Sequence, residues 1–223
     1  MLPRLYIFQL LKHFRRQWAR IRVQPAALAT TWLGEKAFAR VRWAFGVQIH
    51  ACQLLAVRDA LHRKLKCNFL VFGLGVDSPF WLSANAGNRT AFIEDDPTWF
   101  ASVMGSIGNL EAYLVSYGTR LADWQQLLRE PERLRFVLPP AITDTRWNVI
   151  LVDAPAGYAP NTPGRMCSIR AASLLAAPEA DIFVHDYERE VEQASCAAFL
   201  GTAQTWKDIG KRKRVLRHFR FHS

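Results

Sequence analysis

From Cys67 onward, short apolar runs alternate with segments whose apolar residues recur at helical spacing. Apolar runs rich in β-branched and aromatic residues are typical of buried strands when turn-forming or acidic residues follow them. Strands that alternate with helices predict an α/β fold with a mainly parallel sheet covered on both faces. The predicted strands are Phe69–Phe72, Ala91–Ile93, Glu111–Ser116, Trp147–Val152 and Asp181–Val184.

The segments between and after these strands supply helices and a terminal hairpin. The last segment, from Gln204 to Phe221, is predicted to form an antiparallel hairpin that turns through Gly210. The predicted helices of the sheet domain run from about Trp99 to Asn109, Leu121 to Arg129, Pro163 to Ala176 and Glu188 to Leu200.

Residues 1–66 show a different pattern, with apolar positions at helical spacing and basic residues between them. We predict an amphipathic helix around Tyr6 to Trp18, a second helix from about Trp32 to Phe45 and a third from Val47 to Lys64. The first helix could lie on a membrane surface, but packing on its own domain is the favoured interpretation. The sequence therefore predicts an N-terminal helical extension or lid over residues 1–66 and a Rossmann-like domain over residues 67–223.

The first strand of the sheet ends at a G-x-G turn that begins at Gly73. Glycine lets the backbone turn tightly and approach a ligand closely, and Asp77 or Ser78 can cap the helix that follows. Glu94 ends the second strand about 20 residues later, where a nucleotide-binding βαβ unit holds the ribose hydroxyls. Because the turn lacks the third glycine of the dinucleotide fingerprint, it favours one nucleoside, such as S-adenosylmethionine (SAM), over NAD.

Ligands of open α/β sheets bind beyond the carboxyl ends of the strands. The residues that follow the predicted strands are mostly polar and several are acidic, so the sequence predicts a ligand site at one edge of the sheet. These residues are Gly73 to Asp77, Glu94 and Asp95, Tyr117, Asp153 to Tyr158, and His185 to Tyr187.

Length and charge narrow the possible functions only in part. A chain of 223 residues that is 50% hydrophobic can bury one sizeable core. The net charge of +10 is compatible with a nucleic acid, a membrane surface or an anionic substrate, and equally with solubility alone. Because the basic residues are scattered and no aromatic RNA-binding motif is present, the favoured partner is a small-molecule substrate rather than a nucleic acid.

The four cysteines form no C-x-x-C pair and no cysteine–histidine spacing that suits zinc. We therefore expect reduced and mostly buried thiols, no bound metal and a cytoplasmic location. No apolar run reaches the length of about 18 residues that a membrane span needs, and the N-terminus lacks the pattern of a signal peptide. The oligomeric state stays open.

Four blocks of sequence resemble the signature blocks of a known family. They are FGLGVDSPFW, AFIEDDPTW, WNVILVDAPAGYAPNTPGRM and DIFVHDYEREVE, and they lie between Asn68 and Gly201 in the family's order. They resemble the plant glucuronoxylan 4-O-methyltransferase family, whose members are class I SAM-dependent enzymes. The resemblance implies a Rossmann-like class I methyltransferase sheet, mostly parallel with a C-terminal antiparallel hairpin, that binds SAM.

The resemblance also implies roles for individual residues at the SAM site. Glu94 would hold the ribose hydroxyls, and Asp95 would lie near the adenine edge. Asp153 would face the sulfonium and the amino group, and the two glycines of the turn would face the methionine part. The implied SAM-binding residues are Gly73, Gly75, Asp77, Ser78, Glu94, Asp95, Tyr117 and Asp153.

The loop from Pro155 to Arg165 would help to form an acceptor pocket. Either His185 or Asp153 could take the proton of an acceptor hydroxyl, and Asp153 or Tyr158 could orient or deprotonate the amine of SAM. Aromatic side chains could hold the sulfonium by cation–π contact. The implied pocket residues are Trp32, Trp43, Asn161, Arg165, Asp186 and Tyr187.

Two departures from the family change the expected reaction. The plant enzymes commonly carry a histidine straight after the G-x-G turn, where this chain has Val76, and we expect no counterpart of their Golgi membrane anchor. Compact chains with this methyltransferase-like fold also include enzymes that cyclise SAM itself to azetidine-2-carboxylate and release methylthioadenosine. That cyclisation is the leading prediction from the sequence, and the alternative is an O-methyltransferase that acts on a uronic acid or another small hydroxyl acceptor.

Overall fold

A computed structural model of the chain describes residues 49–107, 110–201, 205–210 and 214–220. The predictions on Trp32 and Trp43, and on the helices before residue 49, lie outside the described residues. The boundary between an N-terminal extension and the sheet domain therefore stays a prediction.

Seven strands form one sheet: β1 (Phe69–Phe72), β2 (Thr90–Glu94), β3 (Ala112–Leu114), β4 (Trp147–Val152), β5 (Ala176–Val184), β6 (Thr205–Ile209) and β7 (Leu216–Arg220). Their order across the sheet is β3-β2-β1-β4-β5-β7-β6. Strands β1 to β5 pair in parallel, and β7 runs antiparallel to both β5 and β6. The predicted mostly parallel sheet with a C-terminal antiparallel hairpin is confirmed.

Three strands differ from their predicted bounds. β2 extends one residue beyond the predicted Ala91–Ile93 at each end, from Thr90 to Glu94. The predicted strand from Glu111 to Ser116 is shorter in the structure, because β3 is an edge strand that pairs only with β2, and β2 ends at Glu94. β5 begins at Ala176 rather than at Asp181, because Ala176 already pairs with Trp147 before a register shift in the ladder.

Helices cover both faces of the sheet. The predicted helix from Pro163 begins only at Met166, because Gly164 has a φ of +71°, which a helix excludes. Within the described ranges, no helix is both long enough and apolar enough to cross a membrane. The helices are α1 (Ala51–His62), α2 (Ser78–Ala84), α3 (Pro97–Ile107), α4 (Trp124–Arg129, after a 3₁₀ turn at Leu121–Asp123), α5 (Pro140–Thr143), α6 (Met166–Leu175) and α7 (Glu190–Phe199).

The sheet has an apolar core on each face because successive side chains of a strand point to opposite sides. Leu70 and Phe72 of β1 pack in the cluster that includes α6 and α7, whereas Phe69 and Val71 pack in the cluster that includes α1 and α2. Burial on both faces explains why β1 is a continuous apolar run rather than an alternating one. All four cysteines are free thiols and three of them are buried, as predicted.

A buried carboxylate joins α1 to the outer strands. Oδ1 of Asp181 in β5 lies 2.7 Å from Nε2 of His218 in β7, and Oδ2 lies 3.1 Å from Nζ of Lys64, just after α1. Burial raises the pKa of Asp181, but His218 and Lys64 outweigh burial and hold the pKa below its ordinary value. The cluster therefore stabilises the fold above the ordinary pKa of an aspartate, and this contribution is lost as the pH falls through the lowered value.

Asp181→Asn is expected to lower the free energy of unfolding by about 3 kcal/mol, because Lys64 and His218 lose the buried charge that they face. Asp208→Asn is the matched control. Asp208 makes two contacts with Arg217 but is exposed, so its loss should cost less than about 1 kcal/mol. Urea titrations of both variants at neutral pH measure the difference, and equal losses would contradict the role of burial.

Candidate active site

The carboxyl ends of four parallel strands lie side by side. Phe72, at the end of β1, pairs with Ile93 of β2 and Val152 of β4. Val152 pairs in turn with Val184 of β5. The residues that follow these strands therefore share one edge of the sheet, which we call the carboxyl edge. They include Gly73, Asp153 and His185, and Glu94, the last residue of β2, lies at the same edge.

The turn after β1 needs its two glycines for different reasons. Gly73 has a φ of +124°, which other residues rarely adopt, and its N–H donates to the Ile93 carbonyl at 2.8 Å. At Gly75, an added Cβ would lie 2.5 Å from Oδ1 of Asp77. The second glycine therefore makes room for a carboxylate.

Asp77 occupies the N-cap position of α2, but its side chain makes no capping hydrogen bond, so that prediction is wrong. Its backbone is helical, whereas a capping residue is typically extended, and its Oδ2 accepts from Nε1 of Trp81 at 2.8 Å instead. Ser78 is already the first residue of α2, and its Oγ accepts the N–H of Gly75 at 3.0 Å. The Ser78 side chain therefore stabilises the glycine turn.

Glu94 is buried at the end of β2 and is held by backbone amides. Its Oε2 accepts the N–H of Leu74 at 3.0 Å, and its Oε1 accepts the N–H groups of Asp95 and Asp96, each at 2.9 Å. Because a carboxylate offers about four lone-pair sites, Oε2 keeps capacity for one further donor. Burial and the charge of Glu94 raise the pKa of Asp95 to about 6.

Asp153 and His185 face each other across the ends of β4 and β5. Oδ1 of Asp153 lies 2.7 Å from Nδ1 of His185, within ion-pair distance. Neither ring nitrogen of the buried His185 has a hydrogen-bond partner among the described residues. Because unpaired buried polar atoms are costly, this arrangement favours a role for Nε2 toward a bound molecule.

Asp153 and Asp77, which lie near each other at the carboxyl edge, have different electrostatic surroundings. Burial raises the pKa of Asp153, but the adjacent His185 and Arg165 outweigh burial and hold the pKa below its ordinary range. Burial and the charge of Asp153 raise the pKa of Asp77 to about 6. A cation near both carboxylates would relieve their repulsion, so the edge favours a positively charged ligand.

Arg165 braces the ends of β4 and β5 from inside the molecule. Its Nη1 donates to the carbonyl of His185 at 2.7 Å, and its Nη2 donates to the carbonyl of Asp153 at 2.6 Å. Nη1 also lies 3.0 Å from Oδ2 of Asp186, whose φ is +57°. The sequence predicts both Arg165 and Asp186 as pocket residues, whereas in the structure they pair with each other and Arg165 is buried.

Two of the predicted tyrosines are engaged within the protein. Tyr117 is buried, its hydroxyl lies 3.0 Å from Oγ of Ser168, and burial raises its pKa. Tyr187 is half-buried, and the guanidinium of Arg217 covers its ring at 3.8 Å. One face of the Tyr187 ring is therefore already occupied by a cation of the protein.

The loop of residues 155–165, between β4 and α6, carries the remaining two predicted residues. Tyr158 is 77% exposed, and Asn161 is exposed as well. The N–H of Gly164 donates to the carbonyl of Ala156 at 2.9 Å and closes the base of the loop. A tyrosine this exposed is better suited to contact with a bound molecule than to proton transfer in a buried site.

Two charged residues beside this loop were not predicted. Arg189 donates from Nη1 to the Gly157 carbonyl at 3.1 Å, and its Nη2 lies 2.7 Å from Oδ2 of Asp186. Glu192 lies three positions later with its side chain fully buried. Residues three apart share a helix face, but the sequence does not reveal that this face points toward the loop. Among the side chains that the structure describes, no group is arranged to hold a metal ion.

The strand order, the single antiparallel strand beside β5 and the acids after β1, β2 and β4 together define a class I methyltransferase fold. A Listeria monocytogenes protein assigned to the class I SAM-dependent methyltransferases shares this fold. The two structures superpose with a TM-score of 0.50 at 9% sequence identity, over 86% of this chain and 70% of the other.

The chain belongs to the IRX15/IRX15L/GXM family, whose model matches residues 53–135 and 133–219. Glucuronoxylan 4-O-methyltransferase 2 of Arabidopsis thaliana is 40% identical over 187 residues, which cover 74% of this chain and 63% of the relative. Arabinogalactan O-methyltransferase 2 of the same plant is 36% identical over 178 residues, which cover 69% and 61%. The chain thus spans about three fifths of the length of these relatives, and the family resemblance seen in the sequence is confirmed.

Proposed function

We propose that the protein is a SAM-dependent O-methyltransferase that acts on a carbohydrate hydroxyl, such as one on a uronic acid. The observation that carries this proposal is the Asp153–His185 pair, in which Nε2 of a buried histidine has no partner in the described part of the chain. The relatives support a carbohydrate acceptor, since they are named for methylation of glucuronoxylan and arabinogalactan.

The residues of the carboxyl edge fit SAM, which carries a positive sulfonium and a positive amino group. Asp77 and Asp153 supply negative charge for the amino group, and Glu94 retains a lone pair for a ribose hydroxyl. The whole chain carries a net charge of +10. A local concentration of acids against that background favours a cationic ligand at this edge.

When bound, SAM supplies a methyl group that is activated by its positively charged sulfur. His185 takes the proton of the acceptor hydroxyl at Nε2 as the oxygen becomes the nucleophile. Asp153 faces Nδ1 and stabilises the positive ring that forms. Arg165 holds the backbone carbonyls of both residues and so keeps the base and its partner in place.

The comparisons favour this hypothesis over cyclisation of SAM, which is the leading prediction from the sequence. Glucuronoxylan 4-O-methyltransferase 3 of Arabidopsis thaliana, at 42% identity over 73% of this chain and 60% of the relative, supports the same choice. The position that holds histidine in the plant enzymes is Val76 here, and His185 offers an imidazole at another strand end of the same edge.

The nucleoside product distinguishes the two reactions. Purified protein is incubated with SAM, with and without oligosaccharides that carry uronic acids, and the nucleosides are followed by mass spectrometry. We expect S-adenosylhomocysteine only when an acceptor is present. Methylthioadenosine formed from SAM alone would instead establish cyclisation.

The affinity for SAM is expected to fall as the pH drops through about 6, because Asp77 is ionised above this raised pKa and neutral below it. Asp77→Asn should bind SAM about tenfold more weakly than the wild type near pH 8, with little further loss near pH 5. Asp95→Asn separates the two acids, because the pKa of Asp95 is also raised to about 6, and this variant should keep the pH dependence that Asp77→Asn loses. Calorimetric titrations with SAM measure the effect, and a pH dependence that persists in Asp77→Asn would assign it to another group.

A further inference from the structure

Arg189 connects the loop of residues 155–165 to the end of β5. Its Nη1 donates to the Gly157 carbonyl at 3.1 Å, and its Nη2 lies 2.7 Å from Oδ2 of Asp186. Its own N–H donates to the Asp186 carbonyl at 3.0 Å. Because Arg165 also holds Asp186, at 3.0 Å, the strand end is fixed and the loop is the part that Arg189 positions.

Glu192 lies in the first turn of α7, beneath the same loop. Its Oε1 is 3.9 Å from Nη1 of Arg189, and neither carboxylate oxygen has a hydrogen-bond partner within the described ranges. A Cβ added at Gly157 would lie 3.3 Å from Oε1 of Glu192 and 3.3 Å from Nη1 of Arg189, so the loop rests directly on this pair. One nitrogen of Arg189 therefore faces two acceptors, the Gly157 carbonyl and the Glu192 carboxylate.

We propose that Arg189 and Glu192 form a positioning pair that sets the place of loop 155–165 and thereby the affinity for the acceptor. This inference rests on the proposed function and on the prediction that the loop of residues 155–165 helps to form the acceptor pocket. The hydrogen bond from Nη1 to Gly157 holds the loop against the protein. An ionised Glu192 competes for Nη1 and weakens that bond, whereas a neutral Glu192 leaves it intact.

The groups that face Glu192 decide when it is ionised. Burial disfavours the charged form most, Arg165 and Arg189 favour it, Asp186 disfavours it, and the net effect raises the pKa of Glu192 to about 7. Burial also raises the pKa of the Cys196 thiol in α7, which stays neutral. The neutral Glu192 stabilises the fold at low pH, and this contribution is lost as the pH rises toward about 7. Acceptor affinity is expected to fall as the pH rises through about 7, where Glu192 of the folded protein becomes ionised.

Steady-state kinetics test the pair. Arg189→Gln should raise the KM for the acceptor about tenfold, the effect of losing one charge-assisted hydrogen bond. Arg189→Lys should restore part of this loss, while kcat and the dissociation constant for SAM stay close to the wild-type values. Arg220→Gln, at an exposed arginine that pairs with Glu179 in the β5–β7 region, is the matched control and should leave the KM unchanged.

Glu192→Gln tests the competition for Arg189, because glutamine is neutral at every pH. Its KM for the acceptor should equal that of the wild type near pH 6 and should be lower than that of the wild type near pH 8. The KM of Glu192→Gln is divided by the KM of the wild type at each pH. Because every other titrating group is present in both proteins, its effect on KM cancels in this ratio. A ratio that does not vary with pH would overturn the competition.

Hydrogen exchange of the loop amides tests the pair without any acceptor. At one pH, Arg189→Gln should speed exchange over residues 157–164 about tenfold relative to the wild type, and Arg220→Gln should not. Unchanged exchange in Arg189→Gln would contradict the proposal that this pair positions the loop. Faster exchange with an unchanged KM would overturn its link to the acceptor. If exchange responds as expected but the wild type methylates no acceptor, the contact stands and the proposed function fails.

Discussion

Replacing His185 with glutamine is expected to slow methyl transfer by about 10²- to 10⁴-fold, the range that a general base contributes. Glutamine is polar and of similar size, but its amide cannot take a proton where Nε2 of the imidazole stands. The affinity for SAM should stay close to that of the wild type, because the acids that favour SAM are unchanged. Initial rates at saturating SAM and acceptor measure the effect.

His218→Gln is the matched control for this experiment. His218 also lies 2.7 Å from a buried carboxylate, that of Asp181, but the pair belongs to the contact between α1 and the outer strands. Expressed per folded molecule, the rate of His218→Gln should equal that of the wild type. A wild-type kcat in His185→Gln would contradict the mechanism and would make Asp153 the candidate base.

Glu94→Gln is expected to weaken SAM binding by about 10- to 100-fold, which corresponds to about 1.5–3 kcal/mol for hydrogen bonds to a charged group. The amide has only one oxygen, whereas the carboxylate accepts N–H groups at both of its oxygens, from Leu74 on one side and from Asp95 and Asp96 on the other. The substitution therefore removes a ribose acceptor and loosens the turn that presents it. Calorimetric titration with SAM gives the dissociation constant directly.

Asp96→Asn controls for a general effect of losing a carboxylate at the end of β2. Asp96 is exposed, and its Oδ1 accepts the N–H groups of Thr98 and Trp99 at the start of α3, a capping role that asparagine also fills. Its affinity for SAM should match that of the wild type. Equal losses in Asp96→Asn and Glu94→Gln would place the effect in local stability rather than in SAM recognition.

The sheet could be predicted from the sequence because strands that are buried on both faces are continuous apolar runs, which are easy to recognise. Phe69–Phe72 and Trp147–Val152 have their predicted bounds, and all their residues except Asn148 are buried. The placement of Glu94 and His185 follows from the same runs, because parallel strands that end in register bring the next residues to one edge.

Side-chain partners could not be predicted in the same way. Asp77 has the residue type and the position of a helix cap, yet its carboxylate binds the indole of Trp81. Arg165 turns inward to two strand-end carbonyls, one of which belongs to His185. In the sequence, Arg189 resembles any exposed charged residue before a helix. Its hydrogen bond to the carbonyl of Gly157 can be seen only in the folded structure. These contacts depend on the direction in which each side chain points, and that direction is set by packing in the folded protein.

The transfer of a labelled methyl group tests the central claim most directly. The protein is incubated with SAM carrying a trideuterated methyl group and with oligosaccharides that bear uronic acids, and the sugars are analysed by mass spectrometry. The account predicts a labelled methyl ether on a sugar hydroxyl with the wild type and with His218→Gln, and little label with His185→Gln. A wild-type protein that binds SAM but leaves every sugar unlabelled, or that converts SAM to methylthioadenosine without any sugar, would contradict it.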